Sequence, residues 1–248
     1  MLYGLIGFPL EHSTSMDYFN AKFQSESIDA HYMAMPIQSL HNLDVILKEY
    51  PDLAGFNVTS PYKEKILPLL SRLDAEAAYI GAVNVVKIVK GLFGKKEMVG
   101  YNTDVIAFEE TLKAFDISAI QNALILGTGG AAKAVARAFK HMNIACDMVS
   151  RYSPENTQII HYSDLTEQSI QHYSIIVNAT PLGMFPHTQK FPPIPYSALS
   201  SLHICYDLIY NPNKTEFLKK AEKQDATIKN GMEMLLIQAE ETWKIWNK

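Results

Sequence analysis

Cysteine is nearly absent: Cys146 and Cys205 are the two in 248 residues. Neither stands at metal-ligand spacing from a partner, and two thiols cannot frame a disulfide-stapled fold of this size, so buried, reduced thiols and no metal site are expected. Long apolar runs are missing too, since none approaches the ~20 residues a membrane helix needs. The opening residues MLYGLIGFPLEHS carry no basic leader, so a cytoplasmic protein without a membrane partner is expected. There is no surplus of positive charge: 22 lysines and arginines face 26 acids, for a formal net charge of −4. That balance offers nucleic acid no general attraction. Any anionic ligand must be held by local groups.

What is present is ordinary globular material, 48% hydrophobic and 19% charged, enough for a sizeable core. Short β-rich apolar runs alternate with helical periodicity from start to end, which predicts an α/β fold. Strands are predicted at residues 2–7, 31–35, 53–58, 82–90 and 97–101, and helices at 15–25, 40–49 and 74–79. The stretch 91–96 reads as a hairpin turn, so one sheet edge should be antiparallel. A second block runs from a helix at 103–115 through strands at 123–126, 145–149, 175–178, 204–208 and 226–229, with a helix ending at 142 and a proline-rich loop at 181–195. The last helix, 232–246, places Met232, Leu235, Leu236, Ala239, Trp243 and Trp246 on one face. Two domains are expected: 1–101 for substrate, completed by 232–248, and a Rossmann-like nucleotide domain at 102–231.

The strongest general signal is Gly127-Thr128-Gly129-Gly130-Ala131-Ala132, a G-x-G-x-x-A fingerprint between an apolar strand run and a helix. Glycines there permit a tight turn and close backbone approach to a diphosphate, and the helix N-terminus offers free N–H groups. A purely structural glycine turn is the plainer alternative, and the flanking strand and helix count against it. The next strand ends in Ser150-Arg151-Tyr152. An acid at that point would favour NAD; Arg151 suits a 2′-phosphate, so NADP is expected.

Three clusters carry chemistry: Ser13-Thr14-Ser15 after the first strand, Asn57-Val58-Thr59-Ser60-Pro61-Tyr62-Lys63 after the third, and Asn102-Thr103-Asp104. In open α/β sheets ligands sit beyond the carboxyl ends of strands, where these clusters fall. Reduction of a ketone by hydride needs a proton for the developing alkoxide; Lys63 is the candidate acid and Asp104 its orienting partner. Hydroxyls of Ser13, Ser15 and Thr59 suit a ligand rich in carboxylate and hydroxyl oxygens. Taken singly, a serine can cap the following helix and a lysine is most often solvated. Together they point to a site.

The ordered set GFPLEHSTS, NVTSPYK, GAVN, NTD, GTGGAAKA, NATPLGM, DLIY and NGMEMLLIQ resembles the shikimate dehydrogenase family along essentially the whole chain. The resemblance implies that Ser13 and Ser15 hold a substrate carboxylate, that Thr59, Asn84 and Asp104 meet ring hydroxyls, and that Lys63 and Asp104 form the catalytic pair. It implies further substrate contacts from Gln238 and Tyr210. Gly127, Thr128, Gly129, Gly130, Ala131 and Arg151 would bind NADP, with Thr180, Leu208 and Gly231 near its nicotinamide. The implied activity is reversible NADPH-dependent reduction of 3-dehydroshikimate to shikimate, by a monomer or homodimer. Met16 and Val85 depart from the pattern, where a proline and a threonine are usual; Tyr152 and Asn230 depart as well. Alternatives are a quinate/shikimate dehydrogenase with relaxed cofactor use and a non-catalytic sensor of NADP(H) or a metabolite.

Overall fold

The computed structural model describes residues 1–10, 14–91, 95–152 and 158–248. Its first elements are β1 (Leu2–Gly7), α1 (Thr14–Ser25), β2 (His31–Pro36), α2 (Leu43–Glu49), β3 (Leu53–Val58), β4 (Arg72–Leu73), α3 (Ala75–Ile80), β5 (Val85–Lys90) and β6 (Lys96–Tyr101). There follow α4 (Asp104–Leu112), β7 (Asn122–Leu126), α5 (Gly130–His141), β8 (Ala145–Ser150), β9 (Ile159–His161), α6 (Glu167–Ile170), β10 (Ile175–Asn178), β11 (Ile204–Asp207), α7 (Glu216–Glu222), β12 (Thr227–Lys229) and α8 (Met232–Asn247). These elements form two units, Met1–Asp104 with Leu236–Lys248, and Val105–Leu235.

The first unit holds a six-stranded sheet in the order β2-β1-β3-β5-β6-β4. Strands β2, β1 and β3 pair in parallel, whereas β5 pairs antiparallel with both β3 and β6. The expected antiparallel pairing of 85–90 with 96–101 is present, and residues 92–94 of the expected turn lie outside the described residues. All six residues of β1 are buried, which is why it reads as an unbroken apolar run rather than an alternation. An aromatic layer ties α8 to this sheet. Trp246 stacks on Tyr3 with ring centroids 4.3 Å apart, and its indole N–H donates to the Val86 carbonyl at 3.0 Å. Gly55 makes the approach possible: a Cβ there would lie 2.4 Å from Trp246 Nε1. Anchoring α8 in this way sets the position of Gln238 two turns upstream.

The second unit holds a wholly parallel sheet ordered β12-β11-β10-β7-β8-β9. Its central strands β7, β10 and β11 are almost entirely buried, as parallel strands covered on both faces must be. The α/β class read from the alternation of elements is what the chain adopts.

Several details differ from the sequence reading. Leu236 is 40% exposed, while Met234, Ala239, Thr242 and Trp246 are the buried residues of α8. Ala239 and Trp246 of the expected face are inward, Leu236 is not, and Thr242 is buried beside them because its hydroxyl finds partners there. Cys205 is buried but Cys146 is only half-buried, on β8 next to the edge strand. The strand expected from residue 82 starts at Val85. Strands β4 and β9 and helices α6 and α7 carried too few periodic residues to be read.

Candidate active site

Lys63 follows β3 by five residues, and Asp104 opens α4 just after β6. Their side chains, 41 positions apart, meet at 2.5 Å between Nζ and Oδ2. The lysine side chain is 18% exposed and the aspartate 7%, so the pair is largely withdrawn from water with one edge open to a ligand. The second carboxylate oxygen accepts from Asn84 Nδ2 at 2.9 Å. Asn84 is itself held tightly: its Oδ1 accepts from the Thr103 amide at 2.8 Å, and its Nδ2 also reaches Thr103 Oγ1 at 2.9 Å and Gln238 Oε1 at 3.3 Å. Asn102 fixes the start of α4 through its side chain, its Oδ1 accepting from the Asp104 amide at 3.0 Å and its Nδ2 donating to the Ala82 carbonyl at 3.0 Å. The Val83 amide donates to the Lys63 carbonyl at 2.8 Å. Four segments distant in sequence therefore deliver one ammonium, one carboxylate and two side-chain amides to one place.

Beneath this group lies a second polar layer. Asn57, buried at the end of β3, accepts from Tyr32 Oη at 2.9 Å and donates to the Asn84 carbonyl at 3.1 Å and to Thr242 Oγ1 at 3.3 Å. Thr242 in turn donates to the Gln238 carbonyl at 2.7 Å. Every buried polar group in the layer has a partner, as it must in a low-dielectric interior.

Ser15 and Thr59 belong to the same unit and are half-buried. Because α1 begins at Thr14, Ser15 sits within its first turn and is not its cap. Thr59 packs against the end of β1, where a Cβ on Gly7 would lie 2.4 Å from Thr59 Cγ2. Ser13 lies outside the described residues. Thr103 and Asn102 were quoted from the sequence as a motif without roles, and Asn57 likewise; the only signal for them was adjacency to Asp104 and Lys63. Tyr32 and Thr242 carried no sequence signal at all.

In the second unit the glycine turn joins β7 to α5. Gly127 has φ +116°, a conformation L side chains rarely adopt, and a Cβ there would approach the Ala179 carbonyl oxygen to 3.2 Å. Gly129 is the N-cap of α5 with no side-chain cap, and the space a Cβ would occupy is open. The first turn of α5, with Gly130 and Ala131, holds no acid. An uncapped twelve-residue helix whose N-terminus faces open space fits a diphosphate. Thr128 is half-buried within this turn. Arg151 is exposed just past β8 and makes no ion pair with a described carboxylate; its backbone carbonyl is engaged by His161 Nε2 at 3.0 Å. These residues fit a dinucleotide with a 2′-phosphate.

Thr180, Leu208 and Tyr210 follow β10 and β11, all half-buried. Gly231 is buried, and a Cβ on it would come within 2.1 Å of the Leu208 carbonyl oxygen, so only glycine lets these two segments touch. Among the described residues no group of three or more potential metal ligands occurs. No helix of the described residues is long and apolar enough to cross a membrane.

An α/β chain with a dinucleotide-type turn and a shielded ammonium–carboxylate pair belongs to the class of nucleotide-dependent oxidoreductases acting on small polar molecules. Comparison with known proteins narrows this. A family model described as the shikimate dehydrogenase substrate binding domain matches residues 5–86. The shikimate dehydrogenase (NADP(+)) of Methanococcus maripaludis is 35% identical over 99% of this chain and 91% of its own length; that of Staphylococcus haemolyticus is 36% identical over 99% and 92%. The crystal structure of shikimate dehydrogenase from Aquifex aeolicus superimposes with a TM-score of 0.87 at 33% identity, covering 100% of this chain and 92% of the other. The Thermus thermophilus enzyme in complex with NADP(H) and shikimate gives 0.85 at 29% identity, over 99% and 93%. The chain belongs to the shikimate dehydrogenase family.

Proposed function

We propose that the chain catalyses the reversible NADPH-dependent reduction of 3-dehydroshikimate to shikimate, a step toward chorismate and the aromatic amino acids. The observation that carries the reading is the Lys63–Asp104–Asn84 group, in a chain related over nearly its full length to NADP-dependent shikimate dehydrogenases. When bound, the nicotinamide supplies the hydride in one direction and accepts it in the other.

The proton falls to the chain itself. Lys63 Nζ donates to the substrate oxygen as negative charge builds on it, and recovers the proton in the reverse direction. Asp104 keeps the ammonium aimed, and its own position is held by Asn84. Asn84, Gln238 and Thr59 accept and donate to ring hydroxyls, the hydroxyls of Ser13 and Ser15 take the carboxylate, and Tyr210 lines the substrate. Shielding of the pair strengthens its field on the reacting oxygen, because little water competes.

In the same reading, Gly127 to Ala131 cradle the diphosphate, Arg151 forks onto the 2′-phosphate, and Thr180, Leu208 and Gly231 border the nicotinamide. The division of labour between domains follows, with substrate on residues 1–101 and 232–248 and NADP on 102–231. The site of action is the cytoplasm and the working form a monomer or homodimer, without nucleic acid as a partner. Initial rates with shikimate or quinate, each with NADP⁺ or NAD⁺, test the proposal. Shikimate with NADP⁺ should be the fastest pair; quinate with NAD⁺ leading would replace it with the quinate-type reading, and no turnover of any pair would leave a binding protein.

A further inference from the structure

A second buried carboxylate lies far from Lys63 in sequence and has no part in the chemistry above. Asp207 ends β11, is fully buried, and sits in register beside Asn178 at the end of β10. Its Oδ1 accepts from Asn178 Nδ2 at 3.0 Å and from the Ile209 amide at 3.0 Å, and its Oδ2 accepts from Thr215 Oγ1 at 2.5 Å. No cation pairs with it among the described residues. A buried charge held only by neutral donors is expensive to maintain where packing alone would suffice.

The bonds radiating from it show what the carboxylate organises. Asn178, oriented by donating to Asp207, turns its Oδ1 to the Thr180 amide at 3.1 Å and the Thr180 hydroxyl at 2.6 Å. The Thr180 hydroxyl then accepts from the Leu182 amide at 3.2 Å. The Asn178 carbonyl accepts from the Leu208 amide at 3.0 Å. On the other side, Ile209, whose amide is fixed by Asp207, accepts at its carbonyl from the Gly231 amide at 3.1 Å. Each chain of bonds runs outward from one carboxylate and ends on a different segment.

We propose that Asp207 is the positioning residue of the cofactor site: it locks the segments carrying Thr180, Leu208 and Gly231 into one geometry at the nicotinamide end. This rests on the reading that the second unit binds NADP(H). A neutral side chain of the same shape could not accept all three bonds, because an amide nitrogen in place of Oδ2 meets the Thr215 hydroxyl as a donor. Thr215 also accepts from the Leu218 amide at 3.4 Å as the N-cap of α7.

The carboxylate is also sensitive to acid. Burial pushes the Asp207 carboxyl up to about 6, opposed by the hydrogen bonds from Thr215, Ile209 and Asn178. The titratable groups that face it are Cys205 on its own strand and Tyr196 from the 196–198 turn; burial raises both, so both stay neutral across this range. Asp207 is thus an acceptor of three bonds at neutral pH and loses that capacity as the pH falls through about 6.

The test uses the full-length protein without ligand, measuring amide protection factors at Thr180, Leu182, Ile209 and Gly231, together with NADPH titrations followed by fluorescence. Asp207→Asn should lower protection at these four amides and weaken NADPH binding about tenfold at neutral pH, the size of one lost hydrogen bond to a charged group. In the unsubstituted protein protection at the four amides should rise as the pH falls through about 6, because the closed state holds the proton on the raised carboxyl more tightly than an opened one, and the variant should show no such change. Wild-type protection and wild-type NADPH affinity in Asp207→Asn would overturn the proposal. If that variant does not fold, the pH profile of protection in the unsubstituted protein decides: constant protection at the four amides would overturn it as well. Failure of the unsubstituted protein to bind NADPH would instead remove the functional reading, while the protection factors would still report on the positioning.

Discussion

Replacing Lys63 by methionine keeps the length and apolar stem of the side chain and removes the ammonium. Asp104, with 7% of its side chain exposed, is then left with Asn84 on one oxygen and no donor on the other. Leaving a fully buried charge unpaired costs about 3–5 kcal/mol. The Lys63 side chain is 18% exposed, so water reaches one edge of the pair and the loss should be smaller, about 2–3 kcal/mol. For a chain of this size that lowers the melting temperature by about 5–10 °C. Adding Asp104→Asn to the same molecule removes the orphaned charge and keeps a side chain that can bond Asn84, so most of that loss should return. The two substitutions must therefore be strongly non-additive in stability. Activity should behave oppositely: Lys63→Met lowers the rate of NADPH oxidation with 3-dehydroshikimate by about 10²–10⁴-fold, and the double variant stays inactive. Melting curves and initial rates of the wild type, two single variants and the double variant complete the cycle. Additive stabilities, or a Lys63→Met rate within about tenfold of wild type, would refute the reasoning.

Arg151→Ala should narrow the preference for NADPH over NADH by about tenfold or more, as a charge-assisted contact worth about 1.5–3 kcal/mol is lost; an unchanged ratio of kcat/KM values would remove Arg151 from the site. Gly231→Ala places a Cβ 2.1 Å from the Leu208 carbonyl oxygen, so overpacking of about 1–3 kcal/mol should displace that segment and weaken NADPH binding while shikimate binding persists; calorimetric titrations showing wild-type NADPH affinity would contradict this. Stability should also depend on Asp207. Its carboxyl is raised from 3.8 to about 6 on folding, so the folded state binds the proton more tightly. The resulting stabilisation is complete below 3.8 and is lost as the pH rises through about 6, in full about 3 kcal/mol. Denaturant titrations across that window should show the slope in the wild type and its absence in Asp207→Asn; parallel profiles would count against a buried, titrating Asp207.

Much of the framework was legible because burial on both faces leaves a compositional mark. Strands β1, β3 and β10 read as short apolar runs and lie where those runs lie. The glycine turn was legible because a left-handed Gly127 and an uncapped helix start need particular residues at particular places. Elements held by tertiary contact rather than pattern were missed: β9 is three half-buried residues on an edge, and α7 buries only Phe217, Leu218 and Ala221 behind a Thr215 cap. On α8 the apolar pattern places Ala239 and Trp246 inward but misses Thr242, because periodicity treats threonine as polar. Thr242 is buried since its hydroxyl is satisfied by Asn57 and the Gln238 carbonyl, a partnership no local pattern reveals. The same holds for Asp207, which opens the DLIY motif but to which no local pattern gives a role.

The central claim is that the Lys63 ammonium and the Asp104 carboxylate meet the oxygen of the reacting carbon. A crystal structure with bound shikimate measures this directly. The account predicts one ring hydroxyl within hydrogen-bond reach, roughly 2.6–3.2 Å, of both Lys63 Nζ and an Asp104 carboxylate oxygen, with Asn84 and Gln238 on its neighbours. Shikimate bound with that pair still closed on itself and no hydroxyl near it would contradict the account.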